Sequence, residues 1–225
     1  MALLLPRSLF IHIPKTGGSW VREAVRSAGI LTDEIAAIPT ERMIRRGQLF
    51  HTTSKELHIQ DRFRFAFVRH PLSFYQSYWA YRMVRGWDLT LDMDRKFQSD
   101  NFETFVRAAL ADAPGGLAAR VYARYLGEDF SMLDFVGRME NLAEDLLRAL
   151  SLAGETFDAE VIRATPEKNV SSRLSEWADR CRYSPQLRSD VCNAERAVIE
   201  HFGYGDDVMD VVPVAASPAQ AISVP

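Results

Sequence analysis

The stretch Leu9-Phe-Ile-His-Ile-Pro-Lys-Thr-Gly-Gly-Ser-Trp20 constrains the fold more than any other part of the chain. Leu9–Ile13 has the length and composition of a buried strand, and it stops at Pro14, which has no N–H to give to a sheet ladder. Lys15, Thr16, Gly17, Gly18 and Ser19 follow, and then Trp20, Val21, Ala24, Val25 and Ala28 recur at helical spacing. A strand, a glycine loop and a helix in succession point the first backbone N–H groups of the helix at an anion, and the helix dipole adds partial positive charge there. Gly17 and Gly18 let a bound group approach the backbone closely, and Lys15 supplies a point charge. The segment is suited to a phosphate or a sulfate.

A second strand–helix junction lies at Phe63-Arg-Phe-Ala-Phe-Val-Arg-His-Pro71. Phe63, Phe65 and Phe67 alternate and Ala66–Val68 is apolar throughout, which predicts an interior strand. Pro71 suits the first turn of the helix that follows, where its missing N–H costs nothing. Phe74, Tyr75, Tyr78, Trp79 and Tyr81 give that helix a wide aromatic face. Arg69 therefore sits at the carboxyl end of a strand, where open α/β sheets bind ligands, with Ser77 two helical turns later. An arginine fork and a hydroxyl can clamp a terminal phosphate.

The first segment is not a Walker A loop, in which the lysine follows the glycines. Pro14-Lys-Thr-Gly-Gly-Ser-Trp20 resembles instead the 5′-phosphosulfate loop of sulfotransferases. Phe67-Val-Arg-His-Pro71 with Ser77-Tyr78 is similar to that family's 3′-phosphate motif. Weaker likeness continues through Asp134-Phe-Val-Gly-Arg-Met-Glu-Asn-Leu142, through Pro166-Glu-Lys-Asn-Val-Ser-Ser-Arg173, and from Tyr183 to Tyr204, spanning about residues 9–204 in all. The pattern is nearest to a carbohydrate-type, bacterial-like branch. The resemblance implies a fold related to P-loop kinases and 3′-phosphoadenosine 5′-phosphosulfate (PAPS) as donor, with the 3′,5′-bisphosphate (PAP) as product. It places Lys15, Thr16, Gly17, Gly18 and Ser19 at the 5′-phosphosulfate, Trp20 against adenine, and Arg69 and Ser77 at the 3′-phosphate; the residues alone also allow Trp20 a core role on its helix. Lys168, Asn169, Ser171 and Arg173 fall in a polar loop that closes over the nucleotide. His51 falls in Phe50-His-Thr-Thr-Ser-Lys-Glu-Leu57, similar to an H-x-T-x-x-E-L string of such relatives, and is the expected catalytic base, with Glu56 in reserve.

At 225 residues the chain suits one α/β domain, expected over residues 1–210. Strands and helices alternate, which predicts a three-layer fold with a mainly parallel sheet between helices. The expected elements are strands at Leu9–Ile13, Leu49–His51, Arg64–Val68 and Phe135–Arg138. Helices are expected at Gly18–Ala28, Glu34–Arg46, from Ser54, at Pro71–Arg85, after an Asn101 cap to Ala111, at Asn141–Ser151, and from Pro185 to Gly203 behind a Ser184 cap. Gly86–Asp100 reads as a polar connection. Residues 211–225, with three prolines and no charge, read as a loose tail.

Net charge is −3, but residues 1–86 hold 13 Lys/Arg against 6 Asp/Glu, so the half with both anion motifs is basic. No stretch approaches the ~20 apolar residues of a membrane span, and Leu3–Leu5 is too short for a signal sequence, so a cytoplasmic protein is expected. Cys181 and Cys192 lie eleven apart, about 16 Å along a helix, too far for a disulfide. No His/Cys/Asp cluster has metal-ligand spacing, so no metal is expected. His12 reads as a core residue and His70 as part of a turn. His58 and His201 lie in polar helical surroundings, and Arg42, Arg45 and Arg46 form a solvated helix face. The expected reaction moves a sulfuryl group from PAPS to a hydroxyl on a carbohydrate or small metabolite, with no nucleic-acid or membrane partner. A P-loop-type kinase is opposed by the lysine-first loop and by the lack of an Asp after an apolar strand. A nucleotide- or glycan-binding module without turnover would keep the same motifs.

Overall fold

The computed structural model describes residues 2–35, 61–166 and 175–205. Strand β1 (Ala2–Leu4) turns at Pro6 and Arg7 and returns antiparallel as β2 (Ser8–Ile11), the turn closed by Leu5 N donating to Ser8 O at 2.9 Å. Strand β3 (Asp33–Ile35) lies antiparallel on the other side of β1. Strand β4 (Phe63–Val68) runs parallel to β2, with Phe10 opposite Phe65, and β5 (Phe135–Arg138) runs parallel to β4. Among the described residues the order is β3-β1-β2-β4-β5. The sheet is therefore mixed, not mainly parallel. Leu3–Leu5 does not lead into the first strand but forms most of a strand of its own, and a two-residue turn can join only antiparallel neighbours.

Side chains alternate across these strands and divide the interior into two cores. Leu9, Ile11, Ala66 and Val68 face one helical layer, built on helix α2 (Pro71–Arg85), α4 (Phe102–Asp112), α5 (Leu117–Leu126), α9 (Pro185–Ala194) and α10 (Arg196–His201). Leu3, Phe10, Phe65 and Phe67 face the other, built on α1 (Gly18–Ser27), α6 (Leu142–Leu152) and α7 (Ala159–Arg163). Two short helices, α3 (Asp92–Phe97) and α8 (Ser175–Arg180), and a single 3₁₀ turn at Met139–Asn141 complete the described elements.

Several caps follow local rules. Asn101 accepts from Thr104 N and Ser184 from Leu187 N, as expected from the sequence. The His70 imidazole accepts from Leu72 N at 3.2 Å, capping α2 in front of Pro71. Glu34 and Ile35, expected in a helix, belong to β3, where pairing with β1 overrides their local preference. The last helix is two, interrupted at the buried Glu195 between α9 and α10. The rest of the expected elements between residues 36 and 60, and the 211–225 tail, lie outside the described residues.

Candidate functional site

The carboxyl ends of β2 and β4 are adjacent, so the loop after β2 and the residues after β4 meet at one edge. The β2 loop is tied down from within: the buried Thr16 hydroxyl donates to Ile13 O at 2.9 Å. Lys15 has φ +69°, a left-handed conformation that a non-glycine residue rarely takes and that functional loops often retain. Gly17, at φ +88°, opens α1 with no side-chain cap and no acidic residue in the first turn. Trp20 N and Val21 N both donate to Gly17 O. The N-terminus of α1 thus keeps its positive end toward the loop. Ser19 is exposed there. A Cβ on Gly18 would lie 2.0 Å from His12 Cδ2, so only glycine lets the loop pass this ring.

Arg69, 8% exposed, crosses from the end of β4 to this loop. Its Nη1 donates to Lys15 O at 3.4 Å and its Nε to Ser73 Oγ at 2.8 Å. Its own backbone is fixed by Tyr122, whose hydroxyl accepts from Arg69 N at 3.0 Å and donates to Arg69 O at 2.7 Å. Glu140 braces the next residue, accepting from His70 N at 2.8 Å and from the Tyr204 hydroxyl at 3.1 Å. The Glu of the Asp134–Leu142 motif therefore supports the junction rather than facing ligand. Ser73, Ser77 and Tyr81 recur every four residues along α2 and so share a face, with Ser77 buried one turn beyond Ser73.

A third cation joins the two expected ones. Lys15 Nζ lies 4.0 Å from the centroid of the Tyr81 ring, and the Arg82 guanidinium lies 5.2 Å from the same ring. Burial, with Arg69 and then Arg82 nearby, pulls the Lys15 amine down to about 7. Arg82 is already paired with the buried Asp94 carboxylate, so the costly crowding that an anion relieves is that of Lys15 and Arg69 at the end of a parallel strand pair. The donor set fits a polyanion: a flexible ammonium, a fork-shaped guanidinium and an uncapped helix N-terminus.

The loop residues Lys15 to Ser19 and Arg69 are thus brought together, with Ser77 on the facing helix. Trp20 packs in the core. It is 8% exposed within the core that faces α1, and its indole N–H donates to Thr165 O at 3.1 Å. His51, Glu56, Lys168, Asn169, Ser171 and Arg173 lie outside the described residues. The sequence marks Tyr81 only as part of an aromatic face and Arg82 not at all, although the four-residue row from Ser73 through Ser77 to Tyr81 points to the site.

Among the described residues no group of His, Cys, Asp and Glu is arranged to hold a metal, and no helix is long and apolar enough to cross a membrane. Neither cysteine is in a disulfide; Cys181 is buried and Cys192 packs half-buried against the larger core. No similar curated protein and no similar solved structure was found. A family model described as the sulfotransferase family matches residues 7–193, a span running from the start of β2 into α9 and carrying both anion motifs, and the chain belongs to that family.

Proposed function

We propose that the protein transfers a sulfuryl group from PAPS to an acceptor hydroxyl on a carbohydrate or small metabolite. The observation that carries the reading is the meeting of Lys15 and Arg69 across the carboxyl ends of β2 and β4, beside an uncapped helix N-terminus. In this reading the backbone from Thr16 to Ser19 holds the 5′-phosphate. Arg69, with Ser77 or its present partner Ser73, holds the 3′-phosphate. Lys168, Asn169, Ser171 and Arg173 close over the nucleotide.

PAPS supplies an activated sulfuryl group on a good leaving phosphate. As the bond from sulfur to the bridging oxygen breaks, negative charge builds on that oxygen, and the Lys15 ammonium stabilises it. The acceptor oxygen forms the new bond to sulfur and loses its proton to a base, the role proposed for His51, with Glu56 the alternative. His51→Ala should lower kcat by roughly 10²–10⁴ with PAP affinity kept.

The test is binding followed by turnover. PAP should raise the melting temperature in proportion to RT ln(1 + [L]/Kd), and ATP with Mg²⁺ should not. Labelled PAPS should then transfer label to members of a glycan and phenol panel. Stabilisation by ATP–Mg²⁺ in place of PAP overturns the donor assignment. PAP binding without transfer to any acceptor favours a binding module.

A further inference from the structure

Helix α2 carries more aromatic side chains than its core face consumes. Phe74, Tyr75 and Trp79 are buried almost completely, whereas Tyr81 is only half-buried and turns its ring to the β2 loop. The ring has a cation on each of two contacts, Lys15 Nζ at 4.0 Å and the Arg82 guanidinium at 5.2 Å. Arg82 is held there. Its Nε lies 2.7 Å from Asp94 Oδ2, and Asp94 is fully buried on α3. That carboxylate is fixed in turn by the Tyr78 hydroxyl at 2.5 Å and by Asp88 N at 2.7 Å.

Among the described residues, the groups that face the Lys15 amine are therefore Arg69 from the end of β4, Tyr81 and Arg82 from α2, and, behind Arg82, the Asp94 carboxylate with Tyr78. Two guanidinium groups repel the ammonium. The negative face of an aromatic ring attracts it, most strongly where water is scarce. We propose that Tyr81 is a positioning residue, its ring a seat that holds the Lys15 ammonium at the anion site against repulsion from Arg69 and Arg82. The seat deepens the donor-binding reading above and rests on it for its purpose, which is to present a charged, oriented lysine before the donor arrives. Asp94 serves the same end at one remove, because it holds the Arg82 guanidinium by an ion pair beside the ring. The burial that lowers the amine to about 7 makes the ring decisive, since small changes then alter the charge carried near neutral pH.

The experiment measures the titration of Lys15 directly, by ¹³C resonance of ε-labelled lysine in the ligand-free protein, the signal assigned by its loss in Lys15→Arg. Tyr81→Leu should lower the midpoint by about one pH unit, a roughly tenfold change in proton affinity, by removing the ring face. Tyr81→Phe should titrate as the unsubstituted protein. Replacing Tyr81 by 3,4,5-trifluorophenylalanine, which keeps the shape of phenylalanine and weakens the ring face, should reproduce the leucine shift and serves if the leucine variant does not fold. The pH at which kcat/KM declines should move down by the same amount in both shifted variants. A Lys15 midpoint unchanged in both the leucine and the fluorinated variants overturns the seat. PAP binding is measured alongside on the unsubstituted protein. Absence of that binding overturns the donor reading alone, because the Lys15 titration is read without ligand.

Discussion

Replacing Gly18 by alanine tests the anion loop at its tightest point. The added Cβ would lie 2.0 Å from His12 Cδ2, 2.2 Å from Nε2 and 2.6 Å from Cγ, whereas real Cβ contacts essentially never fall under 3.0 Å. Something must therefore move by about 1 Å, the difference between those first and last distances. The His12 ring has little room to retreat, because it stacks on Phe10 at 6.0 Å between centroids, and Phe10 is fully buried against Phe65 and Phe67. The loop and the start of α1 must give instead. Overpacking of this kind costs about 1–3 kcal/mol, and the better helix propensity of alanine returns at most about 1 kcal/mol, so the net effect is destabilising. The displaced loop weakens charge-assisted bonds to the bound phosphate, worth ~1.5–3 kcal/mol each, so PAP affinity should fall by roughly ten- to hundredfold. Urea unfolding and calorimetric titration with PAP measure the two effects. In a His12→Ala background the ring is gone, and the same glycine substitution should cost less than about 0.5 kcal/mol, which a double-mutant cycle isolates. Unchanged stability and affinity in the single variant, or an equal cost with and without the His12 ring, would refute the reasoning.

Other outcomes follow from the same geometry. Lys15→Ala should abolish sulfuryl transfer while weakening PAP less, because PAP lacks the sulfuryl group, and near-normal turnover would remove Lys15 from its role. Arg69→Ala should weaken PAP by roughly ten- to hundredfold, as charge-assisted bonds are worth ~1.5–3 kcal/mol, and leave adenosine 5′-phosphosulfate binding little affected; equal losses for both would indicate misfolding. Stability should carry a His70 signature. Burial, then Arg188, lowers its imidazole to about 4, so between the ordinary 6.5 and 4 the unfolded chain binds a proton that the native chain refuses, and stability falls as pH falls. His70→Asn, which keeps a capping side chain, should remove about 2 kcal/mol of that loss at pH 5, measured by urea unfolding at pH 5 and 7; an unaltered pH dependence would exclude the effect.

Parts of the molecule whose causes are local were legible in the chain alone. Helix α2 runs from Pro71 to Arg85 as read, because Pro71 and the aromatic spacing define it without outside help. The Asn101 and Ser184 caps, the Phe135–Arg138 strand and the glycine loop at the head of α1 are of the same kind. So too is the family, whose motifs are contiguous strings. The tertiary structure decided what depends on residues far apart in the chain. Helix α5 has no capping side chain of its own; Glu195, 77 and 76 residues away, accepts from Ala118 N at 2.7 Å and Ala119 N at 2.9 Å, while the Tyr75 hydroxyl accepts from Leu117 N at 3.0 Å. The helix was accordingly invisible beyond the Pro114-Gly-Gly break. The β1–β2 hairpin is local, but the mixed sheet came from β3 pairing on β1 and β4 on β2, contacts between distant segments that no short window of sequence contains. At the site, sequence found Lys15 and Arg69 separately, but their contact, and the approach of Lys15 to the Tyr81 ring beside an Arg82 anchored on Asp94, exist only because β2 and β4 lie side by side. Charge type is written in a residue, whereas the field it experiences is set by which other residues the fold brings within a few ångströms.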